Sequence, residues 1–421
     1  SRRRSLHSFN EPLITEKFQL HEIVKSMVHN DNNTLEEALI DIEEAVSEHL
    51  KLTDDLAPGT ACQSRLSRLI PNVHKFGRFF TPLPLHQAFL EMESMMPVSR
   101  RTHVPVSFHE IRHVFNLAQV IAIANSVRLL SFDGDKTLYE NRSVLSPGDP
   151  LVEPLVSLLE SGRAVALVTA VGSADGSIFE ERLRGLLDAL QDRDDDICGR
   201  LYVVGGQCNY LFRCEGGRLV GVPDEEWKDP LVAGWKQEDI EAFLDLASET
   251  LARLCRDFKL QFQMVRKPYA AGMIYTGSPN PSLPLFLDEI AFEVRDALQD
   301  HFSPAGLRLS SGKTGSLAFC TFNGGEDVFV DVGSKAVGIR SLQRYLGLVN
   351  RYFVDAEEAV YEDEVAHTLH VGDQFTRAGN DLLARKVAST LWVSEPAETL
   401  FFVERLRRQI HMESSQHGCS P

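Results

Sequence analysis

Residues 127–139 read Val-Arg-Leu-Leu-Ser-Phe-Asp-Gly-Asp-Lys-Thr-Leu-Tyr, an apolar, β-prone run that stops at two aspartates one residue apart. Such a run predicts a short buried strand whose carboxyl end opens into a loop. Open α/β sheets bind their ligands at that end of the strands. A buried parallel strand that runs into two carboxylates needs something to offset their charge, such as a metal ion.

The pattern D-x-D-x-T has a chemical logic. A spacing of two aims Asp133 and Asp135 into one loop cavity. Asp133 can act as a nucleophile on phosphorus, splitting hydrolysis into two easier steps through an aspartyl-phosphate. Asp135 can protonate the leaving oxygen and then take a proton from the water that clears the intermediate. Mg²⁺ bridging Asp133 and the phosphoryl oxygens would cancel the repulsion between an anionic nucleophile and an anionic substrate. The plain alternative is an Asp-Gly turn capped by the side chain of Asp133.

The rest of the chain decides between these. At 421 residues it is too long for one ordinary domain and predicts two or three. A formal charge of −17 argues against nucleic-acid or anionic-membrane partners, so a phosphate substrate must be met by local cations and a metal. The seven cysteines (62, 198, 208, 214, 255, 320 and 419) form no C-x-x-C pair, which predicts a reduced, cytoplasmic protein without a zinc site. Val114–Phe132 is the most apolar long stretch, but Asn116, Gln119, Asn125 and Arg128 interrupt it, so no membrane span is expected. Ser1–Arg4 is basic, precedes no continuous apolar run, and is expected to be a frayed terminus.

Residues 1–105 are expected to be a separate helical region. Apolar residues recur at three- and four-residue steps over 13–28 and 34–52, with Thr34 as an N-cap. Phe108–Ala124 reads as a helix whose first turns carry His109, Arg112 and His113, either a small cationic patch or ordinary surface polarity. Buried strands are expected at 127–132, 163–170 and 201–204, the second ending in Thr169. Thr169 is placed either to donate to a phosphoryl oxygen or to cap the next helix.

Between 207 and 325 the texture changes to a hairpin at Arg213–Arg218, two long amphipathic helices and alternating stretches, predicting an inserted α+β cap. Ser311-Gly312-Lys313-Thr314 imitates a nucleotide phosphate loop. Five residues rather than four separate Gly306 from Gly312, and an alternating strand follows, so that reading is rejected.

The core is expected to resume at 326–412 and to complete a catalytic unit begun at 106–206. There Asp327–Lys335 reads as a further strand running to Asp331 and then to Lys335 at a helix start. Thr368–Phe375 reads as another, ending in Gly-Asp at Asp373, with Asn380-Asp381 close behind. Four strand ends would then present, in order, a D-x-D-x-T loop, a threonine, a lysine and a Gly-Asp. The fold class expected is α/β, a doubly wound, Rossmann-like core with an inserted α+β cap and a helical N-terminal region.

This ordered set resembles the haloacid-dehalogenase superfamily of phosphatases and phosphotransferases. Within it, Phe132–Tyr139, Phe329–Lys335 and His370–Phe375 are similar to the inosine-monophosphate-specific 5′-nucleotidases of fungi and apicomplexan parasites, and the likeness extends more loosely over nearly the whole chain. The resemblance implies hydrolysis of IMP to inosine and phosphate with Mg²⁺, activation by ATP, and a homo-oligomer, with a tetramer the expected size. It implies that Asp133 is nucleophile and metal ligand, Asp135 the acid/base in contact with metal and substrate, and Asp373 a further metal ligand. Thr169 and Lys335 would hold phosphate, Asp331 would meet the nucleotide at the mouth of the site, and His113 and Asp381 would bind ATP. Where that family usually has an aspartate this chain has Asn141, which keeps a hydrogen bond for the ribose but brings no charge. The rival readings are a sugar-phosphate or other nucleotide phosphatase on the same fold and a non-catalytic nucleotide-binding regulator.

Overall fold

A computed structural model of the protein describes residues 20, 23–28, 34–53, 62–70, 73, 79–299, 317–349 and 367–417. Ser1–Arg4 and the Ser311–Thr314 imitation of a phosphate loop lie outside these residues, as does most of the helix expected over 13–28.

The strands are β1 (Leu129–Phe132), β2 (Ala164–Val168), β3 (Leu201–Gly205), β4 (Tyr210–Glu215), β5 (Arg218–Gly221), β6 (Phe262–Lys267), β7 (Ala270–Tyr275), β8 (Phe319–Asn323), β9 (Asp327–Val332), β10 (Thr368–Gly372) and β11 (Ser389–Trp392). The longer helices are α1 (Leu35–Thr53), α2 (Leu85–Met95), α3 (Phe108–Ile123), α4 (Val152–Glu160), α5 (Gln237–Asp257), α6 (Leu283–Gln299), α7 (Lys335–Tyr345) and α8 (Pro396–His417).

A seven-stranded sheet in the order β11-β10-β1-β2-β3-β4-β5 forms the centre. From β11 to β3 the strands are parallel, and every residue of β1, β2, β3, β10 and β11 is buried. Burial on both faces is why these strands read as continuous apolar runs rather than alternating ones. The chain leaves β1 toward β2 on one side and returns to β10 on the other, so the order reverses beside β1. That switch point opens a crevice at the carboxyl ends of β1 and β10. Beyond β3, the antiparallel hairpin β4–β5 extends the same sheet past the boundary expected at 206.

A second, antiparallel sheet runs β6-β7-β9-β8. One face carries Ala271, Met273, Phe319, Val328, Val330 and Val332 into a core shared with α5 and α6. Asp327–Val332, expected as a strand of the doubly wound core, is instead a central strand of this smaller sheet. The physical reason is its period: Val328 and Val330 are buried while Asp327 and Phe329 are only partly so, the signature of a sheet with one open face.

Helix α1 begins at a reciprocal Thr34–Glu37 cap and α3 at a Ser107–Glu110 capping box. The N-terminal helices do not form a separate core. Leu39, Ile42, Val46, Phe89 and Met92 join Ile111, Phe115, Leu130 and Phe132 in one apolar cluster. Among the described residues, no helix is long and apolar enough to cross a membrane.

Candidate active site

The crevice at the switch point holds a cluster of buried charge. Asp133 follows β1 directly, Asp373 follows β10, and Asp381 comes back on the loop after β10. Each offers a carboxylate oxygen, all within 4.8 Å of one another. Lys335, the first residue of α7, is fully buried between them, its Nζ 2.8 Å from Asp133 Oδ1 and 2.6 Å from Asp381 Oδ1. Ser334 caps the helix, its hydroxyl accepting from the Val337 amide. Asp381 is held from all sides: Oδ1 also accepts from His370 Nε2 at 2.9 Å, and Oδ2 accepts from the Gln374 amide at 2.9 Å.

Electrostatics follow from this crowding. Burial works against the charge on Lys335, but Asp133 and Asp381 outweigh it and raise its pKa. Burial likewise opposes the charge on Asp381, yet Lys335 and His370 hold it well below the ordinary carboxylate range. Burial raises Asp133 despite its lysine partner. Asp373, half-buried beside two other carboxylates, is pushed up to about 8 by desolvation and by their charge. Its Oδ1 is buried with no hydrogen-bond partner among the described residues. Three hard oxygen donors facing one ammonium, with one oxygen unsatisfied, fit a divalent cation of the Mg²⁺ type.

Asp135 is not in this group of three. It lies at the rim, partly exposed, where Oδ1 accepts from the Arg142 amide at 2.7 Å and Oδ2 is 3.5 Å from Arg182 Nη1. Gly134 between the two aspartates leaves room for Tyr139, since a Cβ there would stand 2.3 Å from the tyrosine oxygen. Thr137 is fully buried and its hydroxyl has no partner among the described residues. Asn141 is exposed, next to Arg142, whose guanidinium pairs with Glu326 on the cap turn at 3.1 Å. Thr169 is buried at the end of β2, and its hydroxyl accepts from the Val171 amide.

Asp331 sits apart from the charge cluster. It is buried on β9, receives a hydrogen bond from Gln207 Nε2 at 2.9 Å, and burial raises its pKa to about 7. With Lys267, Tyr210 and Tyr269 it lines a half-open cleft between the sheet and the cap.

His113 and Asp381, expected together in an effector site, have separate partners. His113 lies between the rings of Phe401 and Phe402, and burial holds its pKa below the ordinary value. Asp381 belongs to the carboxylate cluster, where it and Asp133 together hold the buried Lys335. The cationic patch considered for 109–113 does not form. Arg112 is buried, and its guanidinium is neutralised by both oxygens of Glu398.

Sequence reasoning passed over Gly372, His370 and Gln207. The signal for the first was present: the Gly-Asp of motif 372–373 and the Asn-Asp at 380–381 stand one loop apart. A Cβ on Gly372 would lie 2.4 Å from the Asp381 carboxyl. Gly372→Ala is therefore expected to push Asp381 off Lys335, costing about 1–3 kcal/mol in stability. Phosphate release should fall with it; thermal unfolding and activity together check this, and a variant equal to wild type in both would remove the packing argument.

The sequence model of the IMP-specific 5′-nucleotidase family matches residues 5–403. The chain belongs to that family. It is 34% identical over 425 residues to IMP-specific 5′-nucleotidase 1 of Eremothecium gossypii, covering 96% of this chain and 94% of the relative. The Saccharomyces cerevisiae protein of the same name is 35% identical, over 82% of this chain and 78% of its own length. Among solved structures, an N-terminally truncated, IMP-bound Plasmodium falciparum IMP-nucleotidase superposes with a TM-score of 0.77 at 28% identity, covering 97% of this chain and all of that one. An ATP-bound form of the P. falciparum enzyme superposes with a TM-score of 0.70 at 28% identity, over 92% of this chain and 83% of its own.

Proposed function

We propose that the protein is a Mg²⁺-dependent phosphatase that hydrolyses IMP to inosine and phosphate through an aspartyl-phosphate. The observation that carries this reading is the Asp133–Asp373–Asp381 cluster with Lys335 buried inside it, at the switch point of the sheet and beneath the cap. A structural ion pair needs one carboxylate per cation; a third carboxylate with an unsatisfied oxygen is a site awaiting positive charge.

Asp133, Asp373 and Asp381 would hold Mg²⁺, which when bound supplies positive charge to the phosphoryl oxygens. Asp133 attacks phosphorus in line while Lys335 neutralises charge between nucleophile and phosphate. Asp135, reachable from solvent at the rim, gives its proton to the departing O5′ of the nucleoside. It then takes a proton from the water that attacks the aspartyl-phosphate, releasing phosphate and regenerating the Asp133 carboxylate. Thr169 is assigned to a phosphoryl oxygen, Asn141 to the ribose and Asp331 to the base end. The cap closes over the nucleoside and keeps bulk water from the intermediate.

Activation by ATP belongs to the same reading, supported by the ATP-bound P. falciparum relative. His113 is its candidate contact, since its buried Nε2 has no partner among the described residues. Asp381 is reassigned from the effector site to the metal. Assembly as a tetramer is proposed on the family's likeness.

Phosphate release from IMP, AMP, GMP and hexose phosphates, each with and without Mg²⁺ and ATP, tests the whole reading. IMP is expected to lead, with no turnover in chelator. A hexose phosphate in front would instead favour a sugar-phosphate phosphatase, and no release from any ester would favour a nucleotide-binding regulator.

A further inference from the structure

The open face of the cap sheet carries a row of side chains that the chemistry at phosphorus does not use. Residues directly opposite one another on antiparallel strands share a face. Lys267 pairs with Ala270, and Ala270 with Asp331, so the three form one cross-strand row. In the adjacent row Phe329 faces Gly272. A Cβ on Gly272 would lie 2.5 Å from the Phe329 ring, so the ring lies over the glycine. Lys267 Nζ stands 4.8 Å above that ring.

The opposite wall of the cleft comes from the core, with Ala170 and Gly172 after β2, Gly206 after β3 and Tyr210 at the start of β4. Small residues and the rings of Tyr210 and Tyr269 thus face the charged row across a half-open cleft. Its charged groups are one acceptor and one donor, Asp331 and Lys267, beside the hydroxyls of Tyr210 and Tyr269. Gln207 occupies Oδ2 of Asp331, and among the described residues no hydrogen bond uses Oδ1. The ammonium of Lys267 can only donate.

We propose that Lys267 and Asp331 select a 6-oxopurine over a 6-aminopurine, Lys267 donating to O6 and Asp331 accepting from N1–H. This rests on the nucleotidase reading and names what that reading leaves open. A 6-aminopurine presents a donor at position 6 and a lone pair at N1, so both contacts become like-with-like. The base cannot slide to re-pair, because the phosphate is anchored at the cluster and Asp331 is joined to Lys335 by three residues. A site that hydrogen-bonds its substrate rejects an analogue with mismatched groups far more strongly than a purely apolar pocket does.

The test is kcat/KM for IMP, AMP and ribose 5-phosphate, with Mg²⁺, in wild type, Lys267→Met, Lys267→Arg and Asp331→Asn. Lys267→Met and Asp331→Asn should each lower the IMP-to-AMP ratio by about tenfold or more, and lower the IMP-to-ribose-5-phosphate ratio with it. Lys267→Arg keeps a donor and should retain most of the preference. Lys267 is exposed at the sheet edge, so its replacement reads specificity even where Asp331→Asn impairs folding. If wild type prefers IMP and both ratios stay within about twofold in Lys267→Met, the assignment is overturned while the nucleotidase reading stands. A wild type that releases no phosphate from IMP overturns both.

Discussion

Asp133→Asn is expected to abolish phosphate release while leaving the fold in place. The carboxamide has nearly the shape of the carboxylate and its oxygen still accepts from Lys335, so the cluster keeps its packing. It has no anionic oxygen with which to attack phosphorus. Removing a nucleophile of this kind costs on the order of 10³-fold or more in turnover. Brief incubation with labelled IMP, quenched in acid, should leave phosphate on wild type and none on the variant. Near-normal turnover by a well-folded variant would remove Asp133 as the nucleophile.

Lys335→Met is the second large effect, and it reaches stability as well as rate. Methionine fills much of the lysine's volume but removes, among the described residues, the only ammonium within hydrogen-bonding reach of Asp133 and Asp381. Breaking a buried pair by deleting one partner costs about 3–5 kcal/mol, because the remaining charges stay buried and uncompensated. A divalent cation bound by the same carboxylates should recover part of that loss, since a ligand that binds only the folded state stabilises it. The melting temperature should therefore fall further in chelator than in Mg²⁺, and turnover should drop by about 10²–10³-fold. An identical melting temperature to wild type in chelator would show that the lysine is not needed to hold the carboxylates together.

Where sequence and structure agree, the cause is burial on two faces. A strand shielded on both sides must be apolar throughout and must end at its ligand, which made β1, β2 and β10 legible together with Asp133 and Asp373 at their tips. Asp327–Val332 misled because its phenylalanine and valines imitate such a run, whereas only alternate residues face a core. Asp381 was legible as an Asn-Asp step shortly after the Gly-Asp strand end but not as a member of the cluster. Its place depends on a loop that turns back over Gly372, where a missing side chain, rather than a present one, makes the room. Arg112 gave no local sign of Glu398, a partner 286 residues away. The N-terminal helices show their own periodicity plainly, yet which surface they cover is a tertiary fact that periodicity does not carry.

Only Gly333 and Ser334 lie between the end of β9 and Lys335. Gly333 takes a φ of 95° and packs against Cys208, where a Cβ would come within 2.2 Å of the sulfur. The inserted sheet is thus geared to the Lys335 ammonium through a joint too short to absorb slack. A chimera that trades this sheet between relatives must carry β9, the joint and the first turn of α7 as one cassette, because a splice inside it shifts the lysine by a residue and aims it away from Asp133 and Asp381.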